Sequence, residues 1–292
     1  MNDAALVIAA RTPPHGVLGK LARDRAGQAA AVVVLLYGVV ALGVALGWWA
    51  DDWREMHGSQ WAPPSAEHPF GTNRIGQDIF ARALYGTKTA FTVGLTVALA
   101  ATALGALLGA IAGYRRGSWL DELILWLMGV LDSIPFYLFV VGLAFALQGA
   151  AGVMHAAMIA VFWTTTGRLV RAEVARLESL DFIAAARVIG VPERRILSHH
   201  ILPNTAHLLL VQATITFVSA IKTEVILSFL GLGVKDGVSW GSMIAESTGD
   251  VAAGHFGNFV AASALMFGLV LAFNVLADAL QDALDPRLAP PA

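Results

Sequence analysis

The chain contains no cysteine, which removes disulfides, iron–sulfur clusters and thiol nucleophiles from its chemistry. Charge is scarce too. Asp, Glu, Lys and Arg make up 14% of the 292 residues, against about 25% in a soluble domain. The formal net charge of −2 supplies no global positive field for nucleic acid. No Gly-x-x-x-x-Gly-Lys-Ser/Thr loop is present: Gly19-Lys20-Leu21 and Gly86-Thr87-Lys88-Thr89 both fail that spacing. There is no His-Glu-x-x-His pair, and His199, His200 and His207 have no carboxylate or spacing that makes a metal set. These gaps argue against a cytosolic enzyme, a nucleic-acid binder and an ATP-hydrolysing chain. No catalytic residue, metal ligand or cofactor is expected on this polypeptide.

Apolar length is what the chain has in abundance. Hydrophobic residues make up 57%, and the mean hydropathy is +0.67. A bilayer core needs roughly 20 apolar helical residues to cross it. Residues 27–50, 89–114 and 256–277 contain no Asp, Glu, Lys or Arg and predict three spans. Residues 123–167 carry only Asp132 and are too many for one span. Two helices are predicted there, turning at the polar, Gly-rich Gln148-Gly149-Ala150-Ala151-Gly152. Residues 207–232 supply a sixth span and contain Lys222 and Glu224. The predicted fold class is an all-α polytopic membrane protein of about six transmembrane helices. Gly105, Gly109 and Gly113 form a small-residue ridge on the second span, the pattern of a helix-contact face.

Lys and Arg near the span ends predict the orientation. Arg11, Lys20, Arg23 and Arg25 precede the first span, and Arg115 and Arg116 follow the second. Arg168, Arg171, Arg176, Arg187, Arg194 and Arg195 follow the fourth, and Arg287 lies near the C-terminus. Against these thirteen stand five on the other side: Arg54, Arg74, Arg82, Lys88 and Lys235. Both termini are therefore expected in the cytoplasm. The expected order is a cytoplasmic tail over 1–26, a first span over 27–50, an outer loop over 51–87, a core over 88–282 and a cytoplasmic tail over 283–292. The core includes a cytoplasmic connector at 168–204.

That connector is long for a helical bundle. Residues 180–190 read as a short amphipathic helix, with Asp181 able to cap it and Gly190 able to end it in the left-handed conformation. Pro192 then blocks direct continuation. Ala184, Ala185 and Ala186 leave room for another surface, and Leu202-Pro203 marks the return to the membrane. By composition alone the same stretch also reads as a solvated, positively charged connector.

Ala184-Ala185-Ala186, Gly190 and Leu202-Pro203 resemble, at matching spacing, the cytoplasmic signature of ABC importer permeases: Glu-Ala-Ala, three residues, Gly, nine residues, Ile-x-Leu-Pro. Ala184 stands where the Glu is usual, and His200 where the Ile is usual. His68-Pro69-Phe70-Gly71-Thr72-Asn73 with Gly76-Gln77-Asp78 resembles the His-Pro-Phe-Gly-Thr-Asp…Gly-Arg-Asp element of the dipeptide/oligopeptide/nickel branch. Asn73 and Gln77 are the departures. The runs from Leu227 to Val234, Ser239-Trp240-Gly241, Ala272-Phe273-Asn274 and from Asp282 to Arg287 match further elements of the C-type permease subunit in the same order. The resemblance covers about residues 23–287.

The resemblance implies a type I-like ABC importer fold in a bacterial plasma membrane. It implies a partner permease of the B type, two ATPase subunits that bind ATP and Mg, and an extracytoplasmic substrate-binding protein. The substrate class would be peptides or related small solutes, including nickel chelates. Residues 180–190 would form the coupling helix, with Asp181, Ala184, Ala185, Ala186, Gly190, Leu202 and Pro203 as its coupling residues. Asp132, Pro135, Lys222 and Glu224 are the candidate pathway or gate residues, because polar groups and helix breaks within a span are costly and face protein or water. Two other classes compete with this reading. A secondary transporter or channel expects internal repeats. An intramembrane enzyme would use Asp132, Glu224 and the histidines.

Overall fold

The structure, a computed structural model, describes residues 24–147, 152–235 and 237–284. The Gln148–Ala151 part of the predicted turn, Asp285–Arg287 and the basic residues Arg11, Lys20 and Arg23 lie outside the described residues. Ten α-helices are described: α1 (Arg25–Ala45), α2 (Ile79–Tyr114), α3 (Trp119–Ser133), α4 (Phe136–Ala146), α5 (Val153–Glu178), α6 (Asp181–Val188), α7 (Glu193–Arg195), α8 (Leu202–Phe229), α9 (Trp240–Ala252) and α10 (Gly257–Leu284). Five of the long rods are long and apolar enough to cross a bilayer: α1, α2, α5, the α7–α8 rod and α10. Counting the bent α3–α4 pair as one broken span gives six. The described residues contain no strand, only isolated bridges between Met56 and Gln77 and between Thr72 and Asp78.

Helix α2 is the axis of the molecule. Asp78 caps it by accepting the Phe80 amide at 2.9 Å, and its 36 residues span about 54 Å. It begins ten residues before the apolar run predicts, because the cap, not hydropathy, sets its start. Its glycine ridge meets α5. A Cβ on Gly105 would lie 2.6 Å from Thr166 Cβ, one on Gly109 would lie 2.4 Å from the Gly167 carbonyl, and one on Gly113 would lie 2.6 Å from the Arg171 carbonyl. The helices touch backbone to backbone, which only the missing side chains permit. Gly167 in turn receives the Met128 side chain from α3.

Helix α1 packs on α2 and α10. It stops at Ala45, short of the predicted residue 50. Gly47 turns left-handed, and the Trp49 ring folds back over Gly43. Between α3 and α4 the chain bends by 90°. Pro135 forces the preceding Ile134 into extended backbone (ψ 127°), and a helix cannot pass through that conformation. Pro135 thus interrupts the first of the two helices expected over 123–167. Gly152, at φ 81°, then opens α5.

Helix α5 runs on to Glu178, so Arg168, Arg171 and Arg176 are helical residues and not part of a loose connector. Leu202-Pro203 does not break the chain either. From Glu193 to Phe229 the backbone is one rod, with a π-helical turn at Ile196–Ile201. Pro203 cannot donate to the carbonyl four residues back, and its ring crowds that carbonyl. The turn widens to relieve this: the Leu202 amide bonds Leu197, five residues back. The Asn204 side-chain amide then takes the His200 carbonyl.

Candidate functional site

At the arginine-rich end of the bundle, α6 lies as a short bar between α5 and α7. Leu180 occupies its N-cap position without a side-chain bond. This corrects the expected capping role of Asp181, which is instead the first helical residue, where its charge favours the helix N-terminus. The far end closes on Gly190. The Val191 amide bonds the Ala186 carbonyl and the Gly190 amide bonds the Arg187 carbonyl, both at 3.0 Å. Gly190 takes φ 81°. This is the paired bonding that terminates a helix on a left-handed residue.

Helix α6 has two unlike faces. Ile183 and Ala186 are buried in a core with Val170, Val174, Leu177 and Ile196. Ala184 and Ala185 are exposed. Phe182, Val188 and Ile189 are 46%, 87% and 79% exposed. These apolar groups stay open on a short helix whose other face is seated in the core. Arg187 fastens the bar to its surroundings. Its guanidinium donates to Glu178 at 2.8 Å and to Glu193 at 3.2 Å, and it lies 5.8 Å from the centre of the Tyr114 ring. The ends of α2, α5 and α7 are thus tied to α6 through one side chain. Glu193 is occupied by this bond. Asp181 is the exposed carboxylate on α6 itself.

A second bracket sits close by. Arg171 donates two parallel hydrogen bonds to buried Asp121, at 2.6 and 2.8 Å. Sequence reading counted Arg171 and Arg187 only as positive charges of a connector. Their partners lie in separate segments, so no periodicity or spacing points to them.

The polar residues within the spans do not converge. Asp132 accepts from Thr164 at 3.0 Å and from Arg168 at 2.5 Å, joining α3 to α5 immediately before the Pro135 bend. Glu224 is 2% exposed and accepts the Ser228 hydroxyl at 2.5 Å; Ser239 in turn lies 3.2 Å from Ser228. Lys222 faces out from the opposite side of α8. Ser239 stands in Gly237-Val238-Ser239-Trp240-Gly241, which has the spacing of a nucleophile elbow. Its hydroxyl instead caps α9 by accepting the Ser242 amide, and no histidine is among its hydrogen-bond partners. Among the described residues, no three His, Cys, Asp or Glu side chains gather to hold a metal ion.

At the opposite end of the bundle, the segment before α2 is folded tightly. Gly71 is left-handed, at φ 74°, and a Cβ there would lie 2.3 Å from the Ala62 carbonyl, so position 71 takes only glycine. The Asn73 amide donates to Gln77 at 3.0 Å, and Arg82 also donates to Gln77 and reaches Glu246 at 2.6 Å. The two departures from the resembled element are therefore a bonded pair. Trp61 donates to Asp250 at 3.1 Å and stacks on His255 with ring centres 4.6 Å apart. Trp240 is buried against Gly86 and donates to the Ala83 carbonyl at 2.9 Å, which seats α9 across α2.

Residues 105–290 match the family model described as "Binding-protein-dependent transport system inner membrane component". The oligopeptide transport system permease protein OppC of Mycobacterium tuberculosis is 35% identical over 275 residues, 92% of this chain and 93% of its own length. The dipeptide transport system permease protein DppC of Bacillus subtilis is 35% identical over 227 residues, 77% of this chain and 71% of its own. A putative peptide transport system permease protein of Brucella abortus is 35% identical over 274 residues, 92% of this chain and 90% of its own. The chain belongs to the binding-protein-dependent inner membrane components, the multi-pass, non-catalytic permease subunits of ABC importers, which hold no cofactor and leave ATP hydrolysis to partner subunits.

Proposed function

We propose that this chain is one of two permease subunits of an ATP-driven importer for peptides or related small solutes, and that α6 is its coupling helix. The observation that carries the reading is the build of α6: buried Ile183 and Ala186 hold it, while Phe182, Ala185, Val188 and Ile189 are open at the end of the bundle. A groove on an ATPase subunit would take that open face. Arg187 would pass its displacement to α2, α5 and α7 together. Ala184 offers no carboxylate, and Asp181 is the acid that α6 can present in its place.

The end that carries α6 faces the cytoplasm in this reading, with both termini on that side. The partner permease is of the B type, and the binding protein docks at the end that carries Trp61 and α9. The relatives, dipeptide and oligopeptide permeases, support peptides as the substrate class. The test is site-directed cross-linking in the assembled complex. A cysteine at Val188 should cross-link to the ATPase subunit and one at Met56 should not. Equal or absent cross-linking from both positions would sink the assignment of α6.

A further inference from the structure

Lys222 lies on α8, seven residues before its end at Phe229, which places its Cα about 10 Å inside the helix end. It is exposed, while Ile221, Thr223 and Glu224 beside it are buried. Ile215, Ser219, Ile226 and Phe229 lie on the same helix face at spacings of three and four residues. Among the described residues no helix covers Lys222, and its ammonium has no hydrogen bond or ion pair. Glu224, two positions on, is on the other side of the helix with its carboxylate on Ser228. An unpaired ammonium facing hydrocarbon is strongly unfavourable, so this face is expected to meet water or an anion.

We propose that Lys222 lines the aqueous passage through the membrane and takes the carboxylate of the transported solute. The inference rests on the import reading above and names the group that the passage recognises. A lysine ammonium is a compact point charge on a flexible stem, and it imposes no bidentate geometry. It accepts a carboxylate whatever side chains flank it. Peptides of any sequence share a free C-terminal carboxylate, so one ammonium selects the class without selecting a member. A passage site must also release what it binds. The Ser219 hydroxyl, the nearest polar group on this face, is spent on the Ile215 carbonyl at 3.0 Å and adds no second donor.

The test uses the whole complex in proteoliposomes, with partner permease, ATPases and binding protein, and dialanine as the probe. Lys222→Met should lower ATP-driven uptake about tenfold, and Lys222→Arg should keep it within about threefold of wild type. In Lys222→Cys the introduced thiol should react with anionic sulfonatoethyl methanethiosulfonate added in water. Aminoethyl methanethiosulfonate, which rebuilds a lysine-like ammonium, should restore uptake, and the sulfonatoethyl adduct should not. A thiol unreactive in both resting and vanadate-trapped complexes would overturn the proposal. If Lys222→Met then also loses the partner permease on purification, the lysine pairs with that subunit; if not, it faces lipid. Wild-type uptake by Lys222→Met overturns the lysine's role and leaves the import reading standing. Absence of dialanine uptake by the wild-type complex overturns the peptide reading and the carboxylate assignment with it.

Discussion

Asp121 and Arg171 are 50 residues apart in the chain and meet through two parallel hydrogen bonds of 2.6 and 2.8 Å. The pair joins the first turn of α3 to α5, seven residues before α5 ends at Glu178. The Asp121 side chain is 4% exposed and the Arg171 side chain 24%. The Gly117 amide donates to the same carboxylate at 2.9 Å, so the turn between α2 and α3 is gathered into the bracket. Planar, two-point bonding of this kind is specific to arginine.

Removing one partner leaves the other largely desolvated. Arg171→Leu is therefore expected to destabilise the complex by about 2–4 kcal/mol, at or below the range for fully buried pairs because Arg171 keeps some water. Arg171→Lys should fall between that variant and wild type, since the charge survives and the fork does not. Thermal unfolding of the purified complex in detergent checks the order. Equal midpoints for all three proteins would show that the bracket carries no stability.

The α2–α5 contact makes a sharper steric prediction. Gly109→Ala places a Cβ 2.4 Å from the Gly167 carbonyl, a backbone atom that has no free rotor to move aside. The helices must separate, at a cost of about 1–3 kcal/mol. Gly129→Ala, where nothing lies within 4 Å, serves as the control and should be neutral or slightly stabilising. Paired unfolding midpoints decide it, and a Gly109→Ala protein as stable as the control would contradict the close approach.

At Gly190 the prediction is conformational, because a Cβ there meets no atom within 4 Å. The φ of 81° alone makes a β-branched residue costly, by about 1–3 kcal/mol. Gly190→Val should insert into the membrane normally yet lower ATP-driven uptake, with α6 displaced from its seat. Gly190→Asn should stay near wild type, since Asn tolerates the left-handed region. Ala185→Arg, on the exposed face, should weaken capture of the ATPase subunits with no effect on insertion. Transport and pull-down are measured on the same membranes. Wild-type behaviour of both Gly190→Val and Ala185→Arg would remove α6 from the coupling role.

Orientation is testable because the chain has no cysteine of its own. Single cysteines at Met56 and Val188, which are 75% and 87% exposed, should react with an impermeant thiol reagent from opposite faces of the membrane. Met56 is expected outside and Val188 inside, and reaction of both from one side would refute the six-crossing topology.

Composition and apolar run lengths were enough to establish a multi-pass helical protein, because hydrocarbon imposes the same requirement on every crossing segment whatever its neighbours. The Gly105–Gly109–Gly113 ridge, the left-handed Gly190 and the interruption at Pro135 were legible for a similar reason. Each follows from the backbone freedom or side-chain size of residues adjacent in sequence. The residues of the α6 loop were legible by their spacing; the wedge of Phe182, Val188 and Ile189 was not, since exposure depends on what packs behind Ile183. Sequence also left open the 90° turn of α3 into α4, the helical run of α5 through Glu178 and the partners of Arg171, Arg187 and Trp61. Asp121 and Arg171 lie on different helices, Trp61 in the segment before α2 bonds Asp250 on α9, and Arg187 on α6 bonds Glu178 on α5. Helix packing closes the Asp121–Arg171 and Trp61–Asp250 pairs, 50 and 189 residues apart, and the turn between α5 and α6 closes Glu178–Arg187; none of these approaches is written in local residue spacing.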